Sequence, residues 1–171
     1  SIMGGMEEEV FNKFESFNYK YAIKEKSIDS IFENNLIDNI GKKSLVRFDF
    51  EGYESLVNVI TYEKYNDFMN EKIKSSLLYD NDSYHKSSIV IGQSLSDLYN
   101  INLGDTITLS DISNINIVTG SYKMQSFIVS NIFNFKFLNF DYHNVFIKEN
   151  HDDFLKLENY FSYGNSDLYF N

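Results

Sequence analysis

The sequence predicts one domain of the α+β class. The 171 residues are 43% hydrophobic and 17% aromatic, which is ample material for a single core. Along the chain, the spacing of apolar residues changes repeatedly between the period of an amphipathic helix and the alternation of a half-buried strand. No internal repeat or low-complexity segment interrupts this pattern. We therefore expect a folded domain that mixes helices with a sheet.

Two helices and a short strand are predicted in the first quarter of the chain. Alternation over residues 20–24 predicts the strand. Ser27 and Gly41 are suited to the N-cap of a helix and to the position after its end, so a helix is predicted between them. The apolar stripes of the two helices are Met6, Val10, Phe14 and Phe17 in the first, and Ile28, Phe32, Leu36 and Ile40 in the second.

A hairpin and a less regular segment follow. Side chains alternate from residue 45 to residue 51, and Gly52 separates that run from a second one over residues 55–62, which predicts a β-hairpin. A helix over residues 65–78 and a polar loop through residues 80–83 are predicted next.

The remaining chain is predicted to be mainly β. Residues 88–91 form a short buried strand that breaks at Gly92, and residues 94–99 form a short helix. A turn at residues 102–105 leads into a strand over residues 106–109.

The second half of this region contains a candidate hairpin. Residues 110–125, with Gly120 near the middle, predict a polar, flexible and exposed hairpin insertion. Strands over residues 126–133 and 145–148 and a last helix over residues 152–161 complete the prediction.

Charge and composition exclude several classes of function. The 25 acidic and 15 basic residues give a net charge of −10, which repels nucleic acid and gives no basic run to hold an anionic membrane surface. Because Cys is absent, disulfides, thiolate catalysis and sulfur metal sites are excluded. No apolar run approaches the ~20 residues of a spanning helix, and no signal peptide is visible. The chain as given is expected to be soluble.

Two linked motifs carry a resemblance to a known family. Residues 88–96 and 102–109 have the sequences SIVIGQSLS and NLGDTITL. They resemble the signature IVIG-x-x-L-x-x-x-x-x-(V/L)-x-x-GD-x-(V/I)-x-L of the periplasmic domains of FtsX-like permeases. The sequence FIVSNIF at residues 127–133, followed by FDY at 140–142 and VFI at 145–147, is similar to that family's continuation F-x-V-x-G-I-F … Y-D … V-x-I. Asn131 stands where the family has Gly.

The start of the chain resembles the lipoprotein-releasing branch of this family. The sequence SIMGGM at residues 1–6 is similar to the exit from the first membrane helix in LolC/LolE-type permeases, whereas MacB-type exporters begin differently. The chain lacks an initiator Met and ends in an extended stretch over residues 167–171, so we expect a piece of a longer protein.

The resemblance implies a two-lobe periplasmic domain with a MacB-like core. Residues 1–79 and 151–171 would form a discontinuous, C-terminally truncated α/β lobe near the membrane, and residues 80–150 a mainly β outer lobe. It also implies an inner-membrane protein whose flanking helices are absent from this fragment, with this domain on the periplasmic side.

The resemblance further implies a non-catalytic role in transport. In this family a permease works with a partner permease and a cytoplasmic ATPase, and the periplasmic domains pass a lipoprotein to a soluble carrier. In LolC-type members a protruding hairpin of the β lobe catches the carrier. By position the matching hairpin here is residues 110–125, although the family's Pro and Arg in it are missing. Its tip residues are Val118, Thr119, Gly120, Ser121, Tyr122 and Lys123.

Other sites are weaker hypotheses. Asp80 and Asp82 suggest a calcium loop, but His85 stands where such a loop needs Gly. Ser94 follows a strand as a hydrolase nucleophile does, yet Ser96 replaces the second Gly of that motif. No glycine-rich phosphate cradle is present, and we expect no cofactor. A set of nitrogen and oxygen donors lacks the spacing of a zinc motif, so no metal is expected; the set is Asp141, His143, His151, Asp152 and Asp153.

The Phe-rich stretch over residues 127–146 leaves two interpretations. Alternating Phe residues in strands usually form core, whereas exposed ones would offer an apolar surface to acyl chains. Phe137, Leu138 and Phe140 lie in a predicted connection and are the candidates for apolar ligand contacts.

Three alternatives to lipoprotein release stay open. They are the periplasmic domain of a MacB-like export permease, a free-standing β-rich ligand-binding or adhesin domain, and an enzyme. An enzyme would require a deep pocket in which Asp, His and Ser side chains converge.

Overall fold

The α+β class is confirmed by a computed structural model that describes residues 22–23, 39–81, 84–148 and 159–163. Within these residues the chain forms eight strands and three helical segments. The strands are β1 Ala22–Ile23, β2 Asn39–Phe50, β3 Tyr53–Tyr62, β4 Ser88–Gly92, β5 Thr106–Ile115, β6 Tyr122–Phe133, β7 Asn144–Ile147 and β8 Asn159–Tyr163. The helices are α1 Tyr65–Phe68, which continues through a π-helical turn Met69–Ile73 and a 3-10 turn Lys74–Ser76, then α2 Gln93–Tyr99 and α3 Leu138–His143.

Six of the strands close into a ring. The sheet order is β1-β8-β2-β3-β7-β4-β6-β5, and β5 also pairs with β2, which closes the six strands from β2 to β5 on themselves. The closing register is Arg47 with Ser110, Phe48 with Leu109 and Asp49 with Thr108. The first residues of β2 pair instead with β8. The long strand β2 therefore belongs both to the ring and to the β1–β8 extension.

The predicted β2–β3 hairpin is confirmed and is longer than its sequence pattern indicated. The antiparallel register runs from Gly41 opposite Tyr62 to Phe50 opposite Tyr53. Two residues join the strands, Glu51 with φ 50° and Gly52 with φ 86°. Positive φ at both central positions is the geometry that fits the twist of paired strands, and Gly supplies it at little cost.

Two apolar cores lie on the two faces of this sheet. The interior of the ring holds the first core, which is Val46, Phe48, Phe50, Val57, Val59, Ile89, Ile91, Leu95, Ile101, Ile107, Leu109, Phe127, Val129, Ile132, Val145 and Ile147. The second core includes residues of α1 and of the opposite strand faces; it is Ile60, Tyr62, Tyr65, Phe68, Met69, Ile73, Tyr84, Val90, Phe133, Phe135 and Phe146. Strands β4 and β7 contribute to both cores, which is why every residue in them is buried.

Gly92 allows α3 to pack directly against the end of β4. A Cβ atom added at Gly92 would lie 2.7 Å from the Cα of Asp141 and closer still to its carbonyl group. Heavy atoms at this distance overlap strongly, so only Gly fits. The predicted break at Gly92 is thus confirmed, and its reason is the close approach of a second backbone.

Asn131 connects β6 to the segment that follows α1. Its buried side chain donates from Nδ2 to the Tyr79 carbonyl at 2.9 Å, and its Oδ1 accepts from the Tyr79 N–H at 3.3 Å. The β4–β6 register shifts by one residue at this point. Asn131 does not have a positive φ. The Asn that stands where FtsX-like permeases have Gly is therefore a hydrogen-bonding residue in a strand.

Three sequence predictions need correction. The second helix cannot end at Gly41, because Asn39 to Gly41 are strand residues that pair with β8. The last helix cannot reach residue 161, because Asn159–Tyr163 is a strand. In both places the spacing of apolar residues is helical, but pairing with a distant strand determines the secondary structure that forms. Residues 110–125 are not a flexible insertion, since β5 and β6 continue into them.

Several other predictions stand or remain untested. The strand predicted over residues 20–24 is confirmed at Ala22–Ile23, and the helix predicted over residues 65–78 forms as a helical segment that ends at Ser76. The helix over residues 6–17, the start of the second helix and residues 152–158 lie outside the described residues. None of the helices in the described ranges combines the length and apolar character that crossing a membrane requires.

Candidate functional site

The β5–β6 hairpin extends past the ring. Pairing of β2 with β5 ends at Ser110, and pairing of β4 with β6 begins at Ile128. In the described ranges, the strand residues beyond these limits pair only with each other, through register contacts such as Asp111 with Lys123 and Ile115 with Tyr122. We call residues 111–125 the arm.

A bulge at Asp111 shapes the base of the arm. Its carboxylate Oδ1 accepts from the Ser113 backbone N–H at 2.9 Å and from the Ser113 hydroxyl at 2.6 Å. The register then shifts, so that Ile115 lies opposite Tyr122 although Asp111 lies opposite Lys123. Extra residues on one strand bend it and increase its twist. Asp111 itself is fully buried, so this bend is built into the packed part of the fold.

The tip of the arm is an ordered turn built by Asn116. The Asn116 side-chain Oδ1 accepts from the backbone N–H groups of Val118 at 2.9 Å and Thr119 at 3.2 Å. The Asn116 carbonyl accepts from the Gly120 N–H at 2.7 Å, and its N–H donates to the Ser121 carbonyl at 2.9 Å. Gly120 adopts a φ of 66° that favours Gly. An Asn side chain that hydrogen-bonds the residues after it is a common way to fix a turn.

This turn presents apolar side chains to solvent. Ile117 is 93% exposed and Val118 is 94% exposed. Other large apolar residues of the arm are also exposed, and they are Ile112, Ile115, Tyr122 and Met124. Exposed apolar patches of this kind usually mark interaction surfaces. The arm can therefore act as a shaped, apolar contact element.

The predicted tip residues fall in two parts of this element. Val118, Thr119, Gly120 and Ser121 lie in the turn, while Tyr122 and Lys123 begin β6. Two functional residues of the turn were not predicted from the sequence: Asn116, which fixes the turn, and Ile117, which is exposed beside Val118. The sequence signal for this turn is the position of Asn116, two residues before Val118 and three before Thr119, because an Asn side chain often accepts hydrogen bonds from the N–H groups at those positions.

The second group of predicted site residues was expected in a connection, but Leu138 and Phe140 lie in helix α3, and Phe137 directly precedes that helix. Leu138 is 78% exposed, Phe137 is less so, and Phe140 is half-buried. The ring of Phe140 lies 5.3 Å from that of Phe135, in the second core. Since α3 packs on α2 and β4, these residues and the arm form separate surfaces.

Most of the Phe-rich stretch is core. Phe127 is buried in the ring interior, and Phe133, Phe135 and Phe146 are buried in the second core. Phe133 packs against Phe146 at 5.3 Å in an edge-to-face arrangement. These residues stabilise the sheet and are unavailable to a ligand.

A hydrogen-bonded group of hydroxyls lies near the β2–β3 turn and was not found from the sequence. The Tyr142 hydroxyl is 2.9 Å from the Ser55 hydroxyl and 3.3 Å from the Tyr99 hydroxyl. The Tyr53 ring stacks on Tyr99 at 5.3 Å. The hydrogen bond from Ser55, followed by that from Tyr99, lowers the pKa of Tyr142, while the hydrogen bond to Tyr142 raises the pKa of Tyr99. Tyr99 and Tyr142 are partly buried against the ring core, so this group of hydroxyl-bearing side chains covers one part of that core.

The weaker candidate sites do not assemble in the described residues. Asp141 is buried and accepts from the Phe135 N–H at 3.2 Å, which is a structural role. Ser94 lies in the first turn of α2. The described part of the chain holds no group of three or more His, Cys, Asp or Glu side chains arranged for a metal. Asp82, His151, Asp152 and Asp153 lie outside that part.

Open depressions on the described surface include the following two. One of about 260 Å³ lies at the start of α1 and beside Lys148. The other, of about 330 Å³, lies between the start of β4, the turn after α2, and β6, and Ser87, Leu103 and Ile128 are among the residues that line it.

Comparison with known proteins identifies the fold. No protein-family model and no curated protein matches the chain. The extracellular domain of the noncanonic ABC-type transporter YknZ from Gram-positive bacteria matches with a TM-score of 0.53 at 10% identity, over 85% of this chain and 75% of that one. A domain described as that of a permease protein from Porphyromonas gingivalis has a TM-score of 0.45 at 10% identity, over 80% of this chain and 66% of that one. The first likeness shows that the chain shares its fold with an ABC-transporter extracellular domain.

Proposed function

We propose that this chain is the extracytoplasmic domain of an ABC transporter permease that takes part in releasing lipoproteins from the inner membrane to a periplasmic carrier. The observation that carries the proposal is the arm, which holds Ile117 and Val118 in solvent on a fold shared with an ABC-transporter extracellular domain. The sequence resemblance to FtsX-like permeases supports the same assignment independently.

In this proposal the domain binds and transmits motion, and it performs no chemistry of its own. A partner permease and a cytoplasmic ATPase supply the rest of the transporter, and flanking membrane helices hold this domain on the periplasmic side. The turn built by Asn116 is hydrogen-bonded within itself. Because the turn is fixed before contact, binding a carrier through Ile117 and Val118 costs little ordering entropy.

The two-lobe division is part of this proposal. Residues 1–79 and 151–171 form the membrane-proximal lobe, and residues 80–150 form the outer lobe. The pairing of β1 and β8 with the start of β2 supports this division, because it joins the two ends of the described chain. Strands β2 and β3 also enter the ring, so they would link the lobes mechanically.

A second candidate function is that of a MacB-like export permease. The fold likeness to the extracellular domain of the transporter YknZ favours it as much as it favours lipoprotein release. The two functions differ in the partner, since only lipoprotein release requires contact with a lipoprotein carrier.

The test is direct binding of the purified lipoprotein carrier from the source organism to the 171-residue chain. Serine replacements at Ile117 and Val118 remove the apolar side chains of the tip, and serine replacements at the exposed Leu56 and Leu98 are the matched control. We expect the tip variant to lose carrier binding and the control to keep it, with both melting as the parent does. Absence of carrier binding by the parent chain would favour the export permease, and equal binding by both variants would remove the arm from the site.

A further inference from the structure

The arm and strand β8 point in the same direction. Strand β5 is antiparallel to β2, with Arg47 opposite Ser110, and β8 is also antiparallel to β2, with Asn39 opposite Tyr163. Strands β5 and β8 therefore run the same way. Beyond its pairing with β2, β5 continues over residues 111–115, which carry the tip of the arm up to about 17 Å further at a rise of about 3.4 Å per residue. The arm thus projects towards the end of the domain at which the chain leaves β8.

The arm carries very little charge. Within residues 112–125 the sequence contains one charged residue, Lys123, and its side chain is exposed. The acidic residue at the base of the arm, Asp111, is fully buried and accepts hydrogen bonds from Ser113. A Lys side chain is compatible with the border of an apolar phase, because its stem lies along apolar groups while its ammonium group stays in water. Residues 112–125 therefore include no carboxylate that would oppose contact with lipid.

The polar groups of the tip are hydrogen-bonded to each other. Each of the backbone N–H groups from Val118 to Ser121 donates to an oxygen of Asn116 or Thr119. The hydroxyls of Thr119 and Ser121 lie 2.6 Å apart, within hydrogen-bonding distance. Polar groups without partners are costly to bury in an apolar phase, whereas groups that are bonded within the turn add little to that cost. The tip can therefore leave water without losing these hydrogen bonds.

The outward side chains of the tip supply apolar area. Ile117 and Val118 are almost fully exposed, and Ile115 and Met124 extend the exposed apolar surface along the arm. The free energy gained by removing such side chains from water is roughly proportional to their apolar area and requires no directional contact. A lipid interface provides an apolar phase of this kind. The chemistry of the tip, apolar outside and hydrogen-bonded within, fits that interface.

We propose that the tip of the arm inserts Ile117 and Val118 into the interface of the lipid bilayer that holds the permease. The inference rests on the proposed function, because flanking membrane helices set a bilayer beside the end of the domain towards which the arm points. A few apolar side chains give only reversible binding to a bilayer, and attachment through the membrane helices is the second anchor that such binding needs. The bilayer and a lipoprotein carrier then compete for the same two side chains.

The test uses a Trp reporter, because the chain has no Trp of its own. The 171-residue chain is anchored by a C-terminal polyhistidine tag to phosphatidylcholine vesicles that contain a nickel-chelating lipid, which takes the place of the flanking helix. Val118→Trp puts the reporter at the tip. Leu98→Trp is the matched control, because Leu98 is exposed on α2. There the neighbouring Tyr99 stacks on Tyr53 beside the β2–β3 turn, at the end of β2 opposite to the arm.

Insertion should change the fluorescence of the tip reporter alone. We expect the emission of Val118→Trp to shift to shorter wavelength on the anchored vesicles and to be quenched by brominated phosphatidylcholine, and Leu98→Trp to show neither change. Adding Ile117→Ser to the Val118→Trp chain should weaken insertion about tenfold, because it removes most of the apolar area of that side chain. Ile117→Leu keeps the apolar area and should change insertion little.

Three outcomes would overturn the inference. The first is a Val118→Trp reporter that is neither shifted nor quenched on the anchored vesicles. The second is an equal response of Leu98→Trp, which would indicate adsorption of the whole domain. The third is a Val118→Trp reporter that responds to the purified carrier in solution but not to vesicles, which would assign the tip to the carrier alone. Because the vesicles contain no carrier and the carrier assay contains no lipid, failure of lipid insertion and failure of the proposed function are measured separately.

Discussion

Replacing Gly92 with Ala tests the packing of α3 against β4. The new Cβ would lie 2.7 Å from the Cα of Asp141 and nearer to its carbonyl, whereas ordinary contacts are 3.4–4 Å. Because these are backbone atoms, no side-chain rotation can relieve the overlap. The helix α3 would have to move by on the order of 1 Å, and in a close-packed interior such a shift loses contacts of Phe140 with the second core.

The expected loss for Gly92→Ala is about 3 kcal/mol of unfolding free energy, at the upper end of the range for overpacked cores. A domain of this size has a total stability of about 5–15 kcal/mol, so the loss is a large fraction. It should lower the melting temperature by roughly 6–12 °C. Urea unfolding followed by tyrosine fluorescence, with calorimetry in parallel, would measure both quantities.

Gly120→Asn is the matched control for this prediction. Gly120 has a positive φ, which Gly92 does not, but an added Cβ at Gly120 meets no atom within 4 Å, and Asn tolerates that backbone conformation. We expect this variant to unfold within about 0.5 kcal/mol of the parent. If Gly92→Ala were equally mild, the close approach of α3 to β4 would be wrong.

Three further predictions concern other parts of the fold. Asn131→Gly should lower the free energy of unfolding in urea by about 2–3 kcal/mol, because it removes two hydrogen bonds to the Tyr79 backbone; no loss would show that those bonds are dispensable. Phe133→Ala should cost about 3–5 kcal/mol by the same measurement, since the side chain is fully buried, and a loss below 1 kcal/mol would refute its place in the core. Ser55→Ala should raise the pKa of Tyr142 towards its ordinary value, because the hydrogen bond from Ser55 is the largest cause of its lowering; a pH titration of labelled tyrosine resonances would show an unchanged pKa if that bond were absent.

Local sequence patterns predicted most elements of the described chain. Alternation identified the β2–β3 hairpin, and a short apolar run bounded by Gly92 identified β4 and α2. These predictions succeeded because side-chain period and turn residues act over a few neighbours. The helix endings at Gly41 and residue 161 failed for the opposite reason, since pairing of β2 with β8 joins residues more than a hundred positions apart.

The candidate site was only partly predictable. Composition and Gly120 indicated an exposed hairpin, and the position of its tip followed from the family resemblance. The bulge at Asp111 and the exposure of Ile117 depend on which backbone groups are left unpaired once the ring has closed.

The amino-acid sequence alone determined the α+β class and the positions of the strands around Gly52 and Gly92, because periodicity and turn chemistry are local properties of the chain. Its composition alone excluded thiol chemistry. Only the tertiary structure decided the closure of β5 on β2 and the burial of both faces of β4 and β7. Each of these depends on which distant strands pair, and pairing is set by the burial of apolar surface across the whole domain.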